Sequence, residues 1–467
     1  MPIISGNSSI SNVHYSGYTI SKIYACGGSL VWSGTPTPTG TYRMKIKKID
    51  DSEVYSYCDG AYSGWSYINQ TEIVNTVGAS DIFDALDSIA SIDFGNCPIL
   101  TGFSFGAGAH VNNSITSVTF TDTSITDIGT GFELTKSLES IDIPDSITSM
   151  TGNFAGSGIR TATIGKGLTS LPDAAFAACA NLRSIDIPNS ITSIGENTFG
   201  GCSSLNSVTF NDDSVTTIET RAFCSCTSLR TFDTPSGVTK LENSTFSGCT
   251  GLRTIDLKKV NTLGNEVFRG CTSLHTVNLS GVTTLGAYNF SGCTSLSSVT
   301  LSDRLIRIPQ GSFYSCSSLS SMTLPNSVKY IDNYVFNNCS ALTSVNLENV
   351  EEIGNYAFLG CNSLTSLSLD KAVTIGQNAF MARGLTDITI GEDIVNIGTQ
   401  AFGNSGMQAG SVTFTILATI PPIISSSGFV YNKGYINAIY VPDAVLGDYL
   451  SDWSQYADKL KPLSEKP

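Results

Sequence analysis

Charged residues, histidine and long apolar runs are scarce in this chain, and each scarcity excludes a class of function. Lys, Arg, Asp and Glu are 14% of the 467 residues, and 39 acidic side chains against 25 basic ones give a net charge of -14. A surface of that sign repels nucleic acid, so we expect no DNA or RNA partner. No run approaches the ~18 apolar residues of a membrane span, so no membrane insertion is expected.

Groups suited to catalysis or metal binding are also few. The three histidines, His14, His110 and His275, are far apart in the chain. No GxSxG, HExxH or phosphate-binding glycine loop occurs. The sequence therefore predicts a protein that is not an enzyme and that has no cofactor and no metal site. The N-terminal MPIISGNSSISNV lacks the features of a secretory signal, so a cytoplasmic site of synthesis is expected.

What the chain does have is a repeat. From residue 132 to residue 402, phenylalanines recur every 22 to 24 residues. Nine of them are followed after three residues by a cysteine, and each cysteine after three more by a leucine. We call these positions the Phe, Cys and Leu columns. They include Phe199, Cys202, Leu205, Phe268, Cys271, Leu274, Phe336, Cys339 and Leu342.

Each repeat has the pattern of one coil of a stacked array. A short alternating run, such as Ile185-Asp186-Ile187, follows the leucine and predicts a strand with two residues turned inward. A turn and a second apolar pair ending in glycine come next, and the phenylalanine closes the coil. One such unit cannot bury its apolar face alone, so it must stack on its neighbours. The pattern predicts a β-dominated α/β solenoid of about 13 to 14 coils, each of 22 to 24 residues.

The Cys column is predicted to be a packing feature. Equivalent Cβ atoms of successive coils should lie about 4.8 Å apart, which is wider than the ~3.8 Å of a disulfide. We therefore interpret these cysteines as small buried hydrophobic residues. Cys26, Cys58 and Cys224 lie outside the column and form no CxxC pair, so a zinc site is not expected.

The unit CTSLHTVNLSGVTTLGAYNFSGC, residues 271–293, resembles the BspA-type leucine-rich repeat. The resemblance extends over roughly residues 80 to 415, starting before the Phe94, Cys97 and Leu100 set. It implies a leucine-rich-repeat solenoid used for adhesion and for protein or glycan binding. It carries no fixed ligand residues.

The ends of the chain differ from the repeats. We predict an N-terminal docking segment at 1–34 with a hairpin turning at Gly27-Gly28, and a stiff linker at 35–40. A small β segment with a second hairpin at Asp50-Asp51 is predicted at 41–79. The solenoid is predicted at 80–415. A cap with a strand and a Trp-containing helix is predicted at 416–467, because an open solenoid must cover its last coil.

The leader around Lys22-Ile23-Tyr24 and Leu30-Val31-Trp32 is similar to that of tail or capsid appendage proteins of bacteriophages of gut Bacteroidales. This resemblance implies a virion protein, made in the host cytoplasm and acting outside the cell. Residues 1–40 would attach it to other virion proteins as a homo-oligomer, and the solenoid would contact a host-surface glycan or protein. The alternative is a bacterial cell-surface or secreted adhesin without its export signal.

A polysaccharide-active enzyme is a third hypothesis, based on outward carboxylates at Asp142, Asp186, Asp233 and Asp256. The same column continues with neutral residues such as Asn278 and Thr300, so a solvated sheet face explains it more simply.

Two sets of side chains are candidates for ligand binding. Tyr288, Tyr334 and Tyr356 stand two residues before the phenylalanine, where aromatic faces could stack on sugars or anchor a protein, or simply pack over the turn. Solvated arginines are common on repeat surfaces, but a set of basic residues directly after the leucine could instead form a ligand-binding stripe. Its members are Arg183, Arg230, Arg253 and His275.

Overall fold

A computed structural model describes residues 115–120, 126–128, 132–151, 154–403, 408–425 and 427–467, together with the backbone of seven earlier strands. Those strands are Val13–Tyr15, Tyr18–Ile20, Lys22–Tyr24, Leu30–Ser33, Tyr42–Lys48, Glu53–Tyr57 and Ile89–Phe94. The predicted turns at Gly27-Gly28 and Asp50-Asp51, the linker 35–40, and Cys26, Cys58, Cys97, Leu100 and His110 lie outside the described residues.

The described chain divides into two compact units, residues 1–191 and 192–467. Both units are β-solenoids built from coils of the same design, with about 14 turns in all and little helix, as the sequence predicted. In the first unit, strand Tyr42–Lys48 pairs antiparallel with both Glu53–Tyr57 and Ile89–Phe94. Ile89–Phe94 then pairs parallel with Ser117–Phe120. An antiparallel hairpin therefore lies against the first edge of the parallel stack.

Each coil contributes one strand to each of two parallel sheets. Sheet A is formed by the strands that follow the Leu column, and sheet B by the two-residue strands that come after the next turn. In the first unit, sheet A contains Ser117–Phe120, Ser140–Asp142, Thr161–Thr163 and Ser184–Ile187, and sheet B contains Asp127–Ile128, Ser149–Met150 and Ser170–Leu171.

The second unit has two parallel sheets of the same kind, built from more coils. Its sheet A contains Ser207–Phe210, Thr231–Asp233, Thr254–Asp256, Thr276–Asn278, Ser298–Thr300, Ser321–Met322, Ser344–Val345, Ser366–Leu369, Asp387–Ile390, Val412–Ile416, Ile436–Val441 and Leu460–Pro462. Its sheet B contains Ser193–Ile194, Thr217–Ile218, Lys240–Leu241, Thr262–Leu263, Thr284–Leu285, Arg307–Ile308, Tyr330–Ile331, Glu352–Ile353, Thr374–Ile375, Asn396–Ile397 and Ile423–Ile424.

In several coils a glycine follows the sheet B strand and allows successive coils to approach closely. A Cβ atom on Gly286 would lie 2.3 Å from the carbonyl oxygen of Gly264, one coil earlier. Cβ atoms on Gly354, Gly376 and Gly398 would lie 2.5 to 2.6 Å from the backbone of the preceding coil. A side chain at these glycines would therefore require the coils to move apart.

The Phe column forms the centre of the core. Its rings are fully buried. Within each unit, neighbouring rings stack with centroids 4.9 to 5.8 Å apart and with interplanar angles of at most 23°. Offset stacks at this separation add to the burial of apolar area. Long-range packing along the solenoid is thus carried by one aromatic residue per coil.

The Cys column is more than hydrophobic filling. Eight of these buried thiols donate a hydrogen bond to the carbonyl oxygen of the phenylalanine one coil earlier, with Sγ to O distances of 3.0 to 3.2 Å. The Phe246 oxygen, for example, accepts from both the Cys249 amide and the Cys271 thiol. Burial raises the pKa of Cys249, Cys293 and Cys339 to about 12, so these thiols remain protonated donors at neutral pH.

The turns around the phenylalanine use left-handed backbone on both sides. The residue two positions before it has a positive φ in every coil of the second unit, as at Tyr288 (57°) and Tyr356 (57°). The residue two positions after it does so in most coils and is often glycine, as at Gly248 (75°) and Gly270 (72°). Glycine adopts this conformation without steric cost, which explains the recurrent Gly-Cys pair.

The predicted C-terminal region covers the last coils with aromatic residues. It contains the 3-10 turns Lys433–Tyr435, Asp443–Val445, Ser454–Tyr456 and Leu463–Glu465 and the α-helix Leu446–Asp452. Trp453 directly follows the helix instead of lying inside it. Its indole donates to the Pro422 oxygen at 3.0 Å, and the Tyr449 hydroxyl donates to the Ala418 oxygen at 3.0 Å. These side chains satisfy carbonyl groups at the end of the array.

Replacing Cys271 with alanine is expected to reduce the free energy of unfolding by about 1–2 kcal/mol, because the thiol hydrogen bond and some packing are lost. Cys271→Ser is the matched control, since Ser157 occupies the equivalent position in the first unit and is also buried. A hydroxyl can still donate to the Phe246 oxygen, so serine should be less harmful than alanine in urea unfolding. If alanine were better tolerated than serine, the column would be purely hydrophobic.

Candidate functional site

Three basic residues of the second unit lie side by side at the N-terminal ends of sheet A strands. Arg230, Arg253 and His275 occupy the position after the Leu column in three consecutive coils, and all three are exposed. The Arg253 amide donates to the Arg230 oxygen at 2.8 Å, and the His275 amide donates to the Arg253 oxygen at 3.3 Å. The backbone therefore holds these side chains in register, about one strand spacing of 4.8 Å apart.

Arg183, the fourth predicted member, lies in the first unit. There its amide donates to the Arg160 oxygen at 3.3 Å, so Arg160 is its neighbour in the preceding coil. Sequence reasoning missed Arg160 because that coil lacks one residue between the Cys and Leu columns, and Ile159 takes the place of leucine. A one-residue shift of the alignment would have found it. Arg160 is paired with Glu139 at 3.4 Å.

A groove of about 610 Å³ lies beside Arg230 and Arg253. Its floor is at Gly251, which stands before the Leu column where Ser228 and Ser273 stand in the adjacent coils. A Cβ atom on Gly251 would lie 2.4 Å from the Thr227 oxygen, so the backbone is drawn in at this coil. The lining residues are all polar or glycine: Asn206, Thr227, Ser228, Arg230, Gly251, Arg253 and Ser273.

The two groove arginines carry uncompensated charge. Six cations of the second unit have a carboxylate partner nearby, as Arg269 has Glu266 and Arg307 has Asp332. Within the part of the chain that the structure describes, neither Arg230 nor Arg253 has an ion-pair partner. Two free guanidinium groups beside hydroxyl and amide groups can bind a carboxylate or another oxyanion in bidentate fashion.

The predicted tyrosines form a second surface, and the structure shows how each is packed. The Tyr334 and Tyr356 rings are stacked on each other, with centroids 5.1 Å apart and planes 2° apart. Tyr288 lies over Gly311 of the next coil, where a Cβ atom would be 2.2 Å from its ring, and its hydroxyl accepts from Gln310 at 2.7 Å. The faces of these rings pack against other residues of the solenoid. Their role as a platform for sugars therefore stays a prediction.

The outward carboxylates lie on the solvated face of sheet A. Asp142, Asp186, Asp233 and Asp256 are exposed, and Asp233 pairs in register with Asp256. Exposed carboxylates in a column that continues as Asn278 and Thr300 do not form an enclosed acid and base pair. Among the described residues, no three His, Cys, Asp or Glu side chains are grouped closely enough to bind a metal ion. None of the helices in those residues has the length and hydropathy needed to span a membrane.

Sequence reasoning identified the arginines but missed the groove. Asn206, Ser228 and Ser273 line the groove because their coils are neighbours in the structure. Serine and asparagine are common throughout the sequence, so nothing in the sequence marks these three. Gly251 replaces the serine of the adjacent coils, but Gly158 and Gly384 stand at the same position of other coils, so this exchange does not mark the groove in the sequence.

The chain matches the family model described as a BspA type leucine-rich repeat region, in overlapping segments 56–183, 104–213, 169–297 and 283–408. A leucine-rich-repeat protein of Bacteroides ovatus is 22% identical, with a TM-score of 0.52, covering 77% of this chain and 94% of its own. A leucine-rich cell surface protein of Faecalibacterium prausnitzii is 25% identical, with a TM-score of 0.48, covering 70% and 92%. A comparison with curated proteins finds no match.

Proposed function

Because this chain belongs to the BspA-type leucine-rich-repeat family, we propose that it is an adhesion protein that recognises a ligand on a cell surface through its solenoid. The observation that carries the proposal is the polar groove of the second unit with its two unpaired arginines. A repeated coil offers a long, regular surface suited to binding an extended ligand. The carboxylates of sheet A are exposed and do not form an enclosed acid and base pair, which favours binding over catalysis.

We further propose that the protein is part of a bacteriophage virion. The support is the resemblance of residues 22–32 to the leaders of phage appendage proteins. In this proposal residues 1–40 attach a homo-oligomer to other virion proteins, and the solenoid faces the host.

Location tests the virion proposal. Particles released by lysis of the producing culture and the envelope fraction of its cells should be compared by peptide mass spectrometry and immunogold labelling. We expect the protein in the particles, and we expect deletion of residues 1–40 to remove it from them. An epitope tag after Pro467 serves as the control and should leave incorporation unchanged. Enrichment in the cell envelope instead would identify a bacterial surface adhesin.

A further inference from the structure

We propose that the groove around Gly251 binds an acidic polysaccharide through carboxylate groups on its sugars. The inference rests on the proposed adhesive function and adds the chemical class of the ligand. Its first basis is charge: Arg230 and Arg253 are exposed, adjacent and without an ion-pair partner among the described residues, on a chain whose net charge is -14.

The lining of the groove favours a sugar over a protein. Hydroxyl groups of Thr227, Ser228 and Ser273 and the amide of Asn206 surround the two guanidinium groups. Such groups both donate and accept hydrogen bonds, as the hydroxyl groups of a saccharide require. A protein partner would bind more strongly with a buried aromatic or aliphatic anchor, and the lining offers no hydrophobic side chain to receive one.

The shape of the groove favours a linear ligand. Its lining residues come from four consecutive coils, those of Asn206, Arg230, Arg253 and Ser273. Three strand spacings of about 4.8 Å give a length of roughly 14 Å along the array. A polymer with one carboxylate on each sugar would bring charges to successive coils, where first Arg230, then Arg253 and then His275 could meet them.

The composition of the lining argues against nucleic acid. Arg230 and Arg253 are the charged residues that line the groove, and Asp233 and Asp256 lie on the sheet A strands that follow them. A single-stranded nucleic acid binds largely through bases that stack on aromatic side chains, and the lining contains none. A uronic acid polymer needs no stacking platform and offers the hydroxyl groups that the lining can bind.

Titration calorimetry with hexagalacturonate tests the proposal on the full-length chain. We expect saturable binding at low salt that weakens as salt is added, since exposed charges are screened. The fully methyl-esterified hexasaccharide, which has the same sugars without charge, should not bind detectably. Arg230→Ser with Arg253→Ser should weaken binding of the acid form at least tenfold.

The matched control is Arg304→Ser with Arg383→Ser, which removes the same charge from exposed positions of the second unit outside the groove. This control should bind as the unaltered protein does, and both double variants should keep its thermal unfolding midpoint. Equal loss in both variants, no binding to the unaltered chain, or binding of hexaglutamate but not of hexagalacturonate would overturn the proposal. Adsorption to intact cells, measured in parallel, would show whether the adhesive function stands without it.

Discussion

Replacing Trp453 with alanine is expected to reduce the free energy of unfolding by about 3–5 kcal/mol and to make the protein self-associate. The indole is buried, with Phe429 at 5.0 Å and Tyr449 at 5.3 Å between ring centroids. Its removal leaves a cavity, leaves the Pro422 oxygen without its indole donor and loosens the cover of the last coils. Urea unfolding would measure the loss, and light scattering after size-exclusion chromatography would detect association.

Trp453→Phe separates packing from hydrogen bonding. The ring is partly retained while the indole N–H is lost, so we expect a smaller loss of about 1–2 kcal/mol and a protein that remains monodisperse at the same concentration. The exposed Leu450, on the α-helix just before Trp453, provides a surface control, because Leu450→Ala should change stability little. A Trp453→Ala protein as stable and as soluble as the original would show that the aromatic cluster does not cap the array.

Replacing Phe268 with alanine is expected to cost about 3–5 kcal/mol and to weaken the solenoid locally. The ring is fully buried between Phe246, at 5.8 Å, and Phe290, at 5.5 Å. Alanine would break the aromatic stack in the middle of the second unit. Because each coil contacts mainly its neighbours, the damage should be confined to nearby coils. Circular dichroism in urea gives the loss of stability, and limited proteolysis locates it.

Phe268→Leu is the control for Phe268→Ala, because it keeps most of the apolar volume and should cost about 1.5 kcal/mol or less. New proteolytic cleavage in the alanine variant should fall within a coil or two of residue 268. A loss below about 1 kcal/mol for alanine, or cleavage spread evenly over the chain, would contradict the view that the Phe column holds neighbouring coils together.

The coil could be predicted from the sequence because each of its structural demands recurs in every repeat. The Phe, Cys and Leu columns show the same burial in each coil, and the run Ile185-Asp186-Ile187 lies in the strand Ser184–Ile187 as expected. The role of the Cys column was only half predicted. Spacing and burial indicate a small apolar residue. The acceptor of the thiol hydrogen bond is a carbonyl oxygen one coil earlier, and its position depends on the rise between coils, which the composition does not reveal.

The candidate site was harder to predict because it depends on exceptions to the repeat. Arg230 and Arg253 stand out as charges in a sequence with few of them, yet their lack of carboxylate partners is visible only in three dimensions. Gly251, which lines the groove, stands where the adjacent coils have serine, but in the sequence it resembles any other glycine. The tyrosines show the opposite case: their shared position two residues before the phenylalanine is visible in the sequence, and in the structure Tyr334 and Tyr356 stack on each other through ring faces that a ligand could otherwise use.

Adsorption of the purified full-length protein to intact bacterial cells tests the adhesive function most directly. The cells should be bacteria with which the producing phage or strain is found associated. Bound fluorescent protein should be measured over a range of protein concentrations. We predict saturable binding that unlabelled protein displaces and that removal of surface polysaccharide from the cells abolishes. Binding that never saturates, or no binding to any such cell, would contradict the proposal that the solenoid is a recognition surface.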